Sequence, residues 1–358
     1  MNVVFDAERL RNPNSGLGQF CGALGEALLV TKPDDGRVTF VVPPNQLGAY
    51  GAGASTIGTA WWHRYRSPLP ADIWHATHQD AWIRSPRDAR VVLSIMDLNF
   101  LERPEYSEAR KARRLAAVQR KVDRASAIST ISEFTASVVR RHLRVPDIPL
   151  RVIHLGNPLF RVPDAQPLDT KVATLNLSRR SFFLFVGVIH PKKNVHTLVP
   201  LLRAFPAMSL VLAGPNDTVY AAQVRRAADD AGLSHRVILP GVVNESTKVW
   251  LYRNSRALLF PSLSEGFGLP VIEAMSVGTP VFLSRLTSLP EIGSDRAYYF
   301  DSFSPESMIE TIRAGLADFD AHPPRSEELR RHAAQFTWRA AATAYWSLYD
   351  EVHRSPRS

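Results

Sequence analysis

Pro261-Ser262-Leu263-Ser264-Glu265-Gly266-Phe267-Gly268-Leu269-Pro270-Val271-Ile272-Glu273-Ala274 decides the fold of this 358-residue chain. The run before it, Ala257-Leu258-Leu259-Phe260, is wholly apolar and short, as in a strand buried on both faces of a parallel sheet. The glycines then turn the chain into an apolar helix. Glu265 therefore stands beyond the carboxyl end of a strand, where open α/β sheets bind ligands. Helix N-termini present free N–H groups to anions, and carboxylates accept hydrogen bonds from hydroxyls. Glu273, eight positions on, falls on a helix face that can look back to the same crevice. Such a site suits a ligand with a phosphate and several hydroxyls. Two solvated surface carboxylates are the ordinary reading of a Glu pair. The glycines and proline between them, and the buried strand before, argue for a ligand site instead.

A chain of this length can bury two domain cores. At 45% hydrophobic and 22% charged residues it is globular rather than disordered. A lone cysteine, Cys21, rules out an internal disulfide and any cysteine-based metal site. No leader-like segment opens the sequence, and with the single cysteine this leads us to expect a cytoplasmic protein. No apolar run approaches membrane-spanning length. The formal net charge is +9, and seven basic residues (Arg110, Lys111, Arg113, Arg114, Arg120, Lys121, Arg124) lie between 110 and 124 against one acid, Asp123. Leu115, Ala116, Val118 and Val122 recur among them at helical spacing, so this stretch reads either as a basic amphipathic helix on an anionic membrane or as a solvated helix face. Nucleic acid is not expected as a partner, because no aromatic residues interleave with these charges.

Short apolar runs alternate with helical patterns throughout, which implies parallel α/β architecture. In the first half, residues 3–5, 38–42, 72–75, 91–95 and 127–130 read as strands, and 17–30, 106–124 and 132–143 as helices. Residues 155–180, with Pro158, Pro163 and Pro167, read as an interdomain linker. A second set of strands follows at 182–186, 210–213, 237–239, 257–260 and 280–283. In the last helix Trp338, Ala342, Tyr345, Trp346 and Tyr349 recur at spacings of three and four, as in a packed stripe.

Other strand ends carry further candidates. Gly16 and Gly18, after the first strand and opening a helix, would let a phosphate approach free amides. The third glycine of a dinucleotide fingerprint is replaced by Cys21, which disfavours NAD. Gly187 follows the strand at 182–186, and Lys192 and Lys193 just beyond suit a diphosphate. Met96-Asp97 and His75-Ala76-Thr77-His78 end two first-half strands. His78 is a candidate for sugar binding, while a zinc site at His75 and His78 lacks further ligands of suitable spacing. The loop Leu286 to Gly293 lies at another strand end, with Glu291 as a ligand-side group or an anchor. Asp318 and Asp320 form a D-x-D pair at a helix end, read as solvated rather than metal-binding.

The Glu265–Glu273 segment resembles the E-x7-E signature of retaining GT-B glycosyltransferases, the glycosyltransferase family 4 group. The resemblance spans nearly the whole chain and is most specific over 182–293. It implies two Rossmann-like parallel α/β domains facing across a cleft: residues 1–165 on the acceptor side, with the final helix 337–358 crossing back onto it, and 166–336 binding the donor. The implied donor is a nucleotide-diphosphate sugar, GDP-mannose or a UDP-sugar. The acceptor would be lipid-linked or a lipopolysaccharide or polysaccharide, met at the inner membrane surface through residues 110–124. By this likeness Glu265 lies by the transferred sugar and Glu273 binds the ribose. Lys193, helped by Lys192, holds the diphosphate with amides of Gly16, Gly18 and the turn Gly266-Phe267-Gly268-Leu269. Glu265, Asp97 and Lys193 are the implied catalytic groups, with no metal and no cofactor. The family usually has His-Asp where this chain has Met96-Asp97, and an arginine where it has Val188-Ile189. These departures support an alternative, a non-catalytic nucleotide-sugar-binding subunit. A third option, hydrolysis or epimerisation of a nucleotide sugar, lacks a well-furnished acid/base set.

Overall fold

The computed structural model describes residues 1–13, 15–161, 167–175 and 177–356; Asn14 beside the glycine pair and Pro163 of the expected linker lie outside them. The chain forms two compact units, residues 1–156 together with the segment from Phe336 onward, and Asn157–Gln335. In the first unit, strands β1 (Asn2–Asp6), β2 (Arg37–Val42), β3 (Ser55–Gly58), β4 (Ile73–Ala76), β5 (Arg90–Ile95), β6 (Ala127–Thr130) and β7 (Leu150–Val152) pair in the order β3-β2-β1-β4-β5-β6-β7. Every pairing is parallel. Val3, Val4, Phe5 and Trp74 are sealed on both faces, which is why these strands read as continuous apolar runs. Helices α1 (Gly16–Thr31), α2 (Glu108–Val122) and α3 (Glu133–His142) each begin at a serine: Ser15, Ser107 and Ser132 accept the amides of Gly18, Arg110 and Thr135.

The C-terminal helix Trp338–Arg354 belongs to this first unit and lies against α1. Its aromatic stripe is buried, and Trp346 Nε1 donates to the Leu28 carbonyl at 3.2 Å. Two tyrosine hydroxyls enter the polar middle of the sheet. Tyr349 meets His75 Nδ1 at 2.7 Å, and His75 Nε2 meets Ser94 Oγ at 2.7 Å. Tyr345 reaches Ser94 and Ser129. Burial pushes the His75 pKa down to about 3, so the ring is neutral at physiological pH and its role is structural.

The second unit contains β8 (Phe182–Val186), β9 (Ser209–Ala213), β10 (Val237–Gly241), β11 (Ala257–Phe260), β12 (Val281–Ser284) and β13 (Tyr298–Phe300), ordered β10-β9-β8-β11-β12-β13 and again all parallel. Its helices are α4 (Thr170–Ala173), α5 (Val219–Asp230), α6 (Glu245–Asn254), α7 (Leu269–Ser276), α8 (Leu289–Gly293), α9 (Pro305–Ala321) and α10 (Arg325–Ala333). No helix among the described residues is long and apolar enough to cross a membrane.

Three strands, β3, β7 and β13, escape the sequence pattern, and all three are sheet edges. An edge strand needs neither length nor two apolar faces. The stretch expected to be a linker is largely ordered. Leu155 is buried in the first unit, Pro158 opens a 3-10 turn of the second, and Asp169 before α4 accepts the Asn244 amide at 2.6 Å. The units accordingly divide at residue 156 rather than 165, with Pro158 and Pro167 among the described residues of the second.

Replacing Tyr349 by Phe leaves His75 Nδ1 in the core without its partner. The expected outcome is a loss of about 1–3 kcal/mol in urea unfolding followed by circular dichroism. An unchanged midpoint and slope would show that the hydroxyl contributes nothing.

Candidate functional site

Strand order reverses at one place in each sheet, between β1 and β4 in the first unit and between β8 and β11 in the second. The loops leaving the carboxyl ends of those neighbours run in opposite directions and open a crevice. In the second unit this is where the sequence-predicted residues gather.

After β8, Gly187 turns with φ +149°, and a 3-10 turn Pro191–Lys193 carries both lysines. After β11 comes the segment from Pro261 to Gly268. The two loops are stitched together by the Leu263 amide, which donates to the Lys192 carbonyl at 2.7 Å. Lys193 Nζ forms an ion pair with Glu265 Oε1, and each side chain is only 12% exposed. The ammonium also sits 5.3 Å from the centroid of Phe260 at the strand tip. The Glu265 loop is propped from behind. Its amide donates to Thr287 Oγ1 at 3.0 Å, and Ser288 Oγ donates to the carbonyls of Glu265 and Phe267 at 3.1 and 2.8 Å. The Leu286–Gly293 segment thus acts as a brace, with Glu291 inside the short helix α8.

Gly268 has φ +112° and leads into α7. The positive φ is what favours glycine here; a Cβ would also lie 2.9 Å from Leu289 Cδ2, a side-chain methyl that would have to shift. The Val271 amide is taken by the Gly268 carbonyl, and Pro270 has no N–H. That leaves the amides of Gly268 and Leu269 without an acceptor among the described residues. They are the anion-binding groups this helix end offers. Phe267 is buried and fills the core rather than facing a ligand.

Glu273 behaves differently from its sequence partner. It is 3% exposed, and its oxygens accept from Lys248 Nζ at 3.1 Å and Tyr252 Oη at 2.7 Å. Burial alone would lower the Lys248 pKa, but Glu273 and Glu245 outweigh it and raise it. Burial, followed by Glu273, pushes the Tyr252 hydroxyl well up. Lys248 and Tyr252 lie in α6 and were not identified from the sequence, since lysine and tyrosine in an unremarkable helix carry no local signal. Val188, where the resembled family has arginine, is 45% exposed.

The first-unit candidates divide. Gly16 opens α1 in open space. Gly18 is not available to a phosphate: its amide is held by Ser15 Oγ at 3.1 Å, and a Cβ there would lie 2.1 Å from the Asn12 carbonyl oxygen, so its smallness serves the chain itself. Asp97 caps its own loop by accepting the Asn99 amide at 3.1 Å. Met96 is buried, its amide held by Gln79 Oε1 at 3.1 Å. His78 follows β4 and meets Arg9 Nη2 at 3.2 Å, while its neighbour Thr77 donates to the Asp6 carbonyl; the sequence reading passed over Asp6 and Arg9, for which a carboxylate closing the apolar β1 was the available signal. Along α2, Lys121 donates to the Gln79 and Ala81 carbonyls, Arg114 pairs with Asp80 and Lys111 with Glu108, while Arg110, Arg113, Arg120 and Arg124 stay exposed. Asp318 and Asp320 are paired rather than merely solvated, Asp318 with Arg325 and the Tyr298 hydroxyl, Asp320 with Arg180 and Arg256.

Comparison with known proteins follows this geometry. Residues 169–335 match the family model "Glycosyl transferases group 1". Among curated proteins, the chain is 24% identical to O-antigen chain mannosyltransferase B of Escherichia coli over 98% of this chain and 99% of that protein. It is 29% identical to the serotype-specific mannosyltransferase WbdA of Escherichia coli over 63% of this chain, which spans 28% of that protein. Among solved structures, sucrose-phosphate synthase from Thermosynechococcus elongatus superposes with a TM-score of 0.76 at 21% identity, covering 98% of this chain and 99% of that one. Anabaena HepE in complex with UDP and glucose gives 0.74 at 15% identity, covering 98% and 100%.

A Lys248→Met variant leaves the Glu273 carboxylate buried without its cation. We expect a loss of about 3–5 kcal/mol in chemical unfolding. Adding Glu273→Gln should recover part of it, and a double variant no more stable than the single would refute the pairing.

Proposed function

We propose that this chain, a GT-B glycosyltransferase whose second unit is a glycosyl transferases group 1 domain, is a retaining mannosyltransferase that uses GDP-mannose. The observation that carries the reading is the Lys193–Glu265 pair at the switch point of the second unit, beside the two unaccepted amides of Gly268 and Leu269. Mannose is favoured because a relative aligned over nearly its whole length bears a mannosyltransferase name. The acceptor on this reading is a growing surface saccharide carried by a lipid. The exposed arginines of α2 supply charge for an anionic membrane face. A nucleotide-sugar donor and a reduced, buried Cys21 fit a cytoplasmic reaction.

The pair explains how a diphosphate is recognised. Without donor, Lys193 and Glu265 neutralise one another in a part-buried place. The arriving diphosphate is the stronger partner for Lys193 and also takes the Gly268 and Leu269 amides. Glu265 is then released toward the hydroxyls of the sugar. Positive groups fixed around the diphosphate favour the charge that develops on it as the sugar leaves. In the transfer itself, the bond from the sugar's anomeric carbon to the diphosphate oxygen breaks as the acceptor oxygen bonds on the same face. The acceptor's proton passes to the departing phosphate oxygen. Lysine and amides supply the charge that a metal supplies elsewhere. In the ribose role, Glu273 would accept a hydroxyl with lone pairs that Lys248 and Tyr252 leave free.

Two measurements test this. In a panel of GDP-mannose, UDP-glucose, UDP-galactose and UDP-N-acetylglucosamine, GDP-mannose alone should raise the melting temperature and release its nucleotide slowly; equal stabilisation by all, or by none, contradicts the donor assignment. Glu265→Ala should keep its fold and lose roughly 100-fold or more in transfer. Near-normal turnover in that variant sinks the site.

A further inference from the structure

We propose that Thr287 and Ser288 are positioning residues: their hydroxyls aim Glu265 through its backbone once the donor has drawn Lys193 away from the carboxylate. The inference rests on the transferase reading above and adds to it a support that the ion pair does not provide.

Residues 261–268, between β11 and α7, lie outside any helix or strand. Their fixed points come from the neighbouring strand end. Ser284 Oγ, closing β12, donates to the Ser262 carbonyl. Three residues on, Thr287 Oγ1 accepts the Glu265 amide at 3.0 Å. Ser288 Oγ reaches the Glu265 carbonyl at 3.1 Å and the Phe267 carbonyl at 2.8 Å, so its single proton is shared between them. Both backbone polar groups of Glu265 therefore end on hydroxyls, and the two hydroxyls belong to consecutive residues. The two bonds flank the Cα from which the carboxylate hangs. They fix the direction of that side chain more directly than bonds elsewhere in the loop.

Hydroxyls that satisfy a loop are common, but these two give something up to do so. Thr287 has φ +58°. A left-handed backbone is uncommon for any residue with a side chain and an outlier for a β-branched one, and such strain gathers at functional sites. In this conformation the Thr287 hydroxyl donates to the Leu286 carbonyl at 2.8 Å, which leaves its lone pairs for the Glu265 amide. Ser288 stands immediately before α8, where a serine side chain ordinarily accepts a free helix amide. It caps none of them, although it is fully buried; its oxygen serves the Glu265 loop instead.

The two supports of Glu265 act at different times. Lys193 holds the carboxylate, and the hydroxyls hold the backbone. On the proposed reading the first support is lost when a diphosphate takes Lys193. The second involves neither Lys193 nor the diphosphate, so it persists. From then on the carboxylate is aimed at the sugar by its backbone alone. A reacting group misplaced by about 1 Å costs roughly 100-fold in rate. The hydroxyls thus matter little to capture of the diphosphate and chiefly to the step that follows.

The test uses the full chain with GDP-mannose and follows GDP release. Thr287→Val keeps the branched shape and removes the hydroxyl; Ser288→Ala does the same for its neighbour. Each should lower kcat by roughly tenfold while KM stays within about twofold of wild type. Thr287→Ser, which restores the oxygen, should recover most of the rate. In hydrogen-exchange mass spectrometry with GDP bound, residues 261–268 should exchange faster in Thr287→Val than in the wild type. Hydroxyls that served stability alone would give variants that melt earlier yet turn over at the wild-type kcat below their melting point. That result overturns the proposal, as does a loss of activity accounted for wholly by KM, or unchanged exchange of 261–268. A wild type that neither binds nor turns over GDP-mannose, or a Glu265→Ala variant as fast as wild type, would instead overturn the reading on which the proposal rests.

Discussion

A parallel sheet sealed on both faces has nowhere to put a charge except at its strand ends, and the rest of this molecule follows from that constraint. Helices cover both surfaces of each sheet, so the strand interiors are apolar. Polar side chains cluster where the chain emerges. Only between β1 and β4, and between β8 and β11, do the emerging loops diverge enough to leave room. Asp6 and His78 occupy the first of these places, Lys193 and Glu265 the second. The chemistry is local to a few residues, yet its position is dictated by the order of the strands in each sheet.

The carboxylates around the second crevice show two ways of managing desolvation. Glu273 is locked, with a lysine and a tyrosine from one neighbouring helix engaging both oxygens. Glu265 faces a lysine on a different loop, and both keep some exposure. Breaking the first arrangement strands a charge in the core. The second can be broken by a ligand that replaces the partner lost. A glycine turn separates the two glutamates. Gly268 turns the chain into α7 with a φ of +112°, a backbone conformation that side chains rarely adopt.

How much of this was readable beforehand follows from the range of each interaction. The two-domain parallel architecture was legible because buried strands are apolar whatever lies beside them. The E-x7-E segment and Lys193 were legible because glycines and charges sit at fixed offsets from such strands. Edge strands β3, β7 and β13 were not, being short and covered on fewer sides. Nor were Lys248 and Tyr252, whose meaning depends entirely on facing Glu273 across a helix contact. Gly18 misled for a related reason: a glycine that opens a helix looks the same whether it makes room for a phosphate or for the chain's own Asn12 carbonyl. Asp6 closed an apolar strand in plain sight, but only the geometry shows its side chain buried, with Oδ1 accepting the Glu8 amide.

The two strand reversals differ in how their charges are paired. In the second unit a cation and unaccepted amides lie at the reversal, with a carboxylate that the cation neutralises until an anion arrives. In the first unit Glu8 is paired with Arg9 and Arg11, and Lys121 donates to two backbone carbonyls. A phosphate gains from a cation beside free amides, as in the second unit. Two copies of the same kind of parallel sheet thus differ in how the charges at their strand ends are paired.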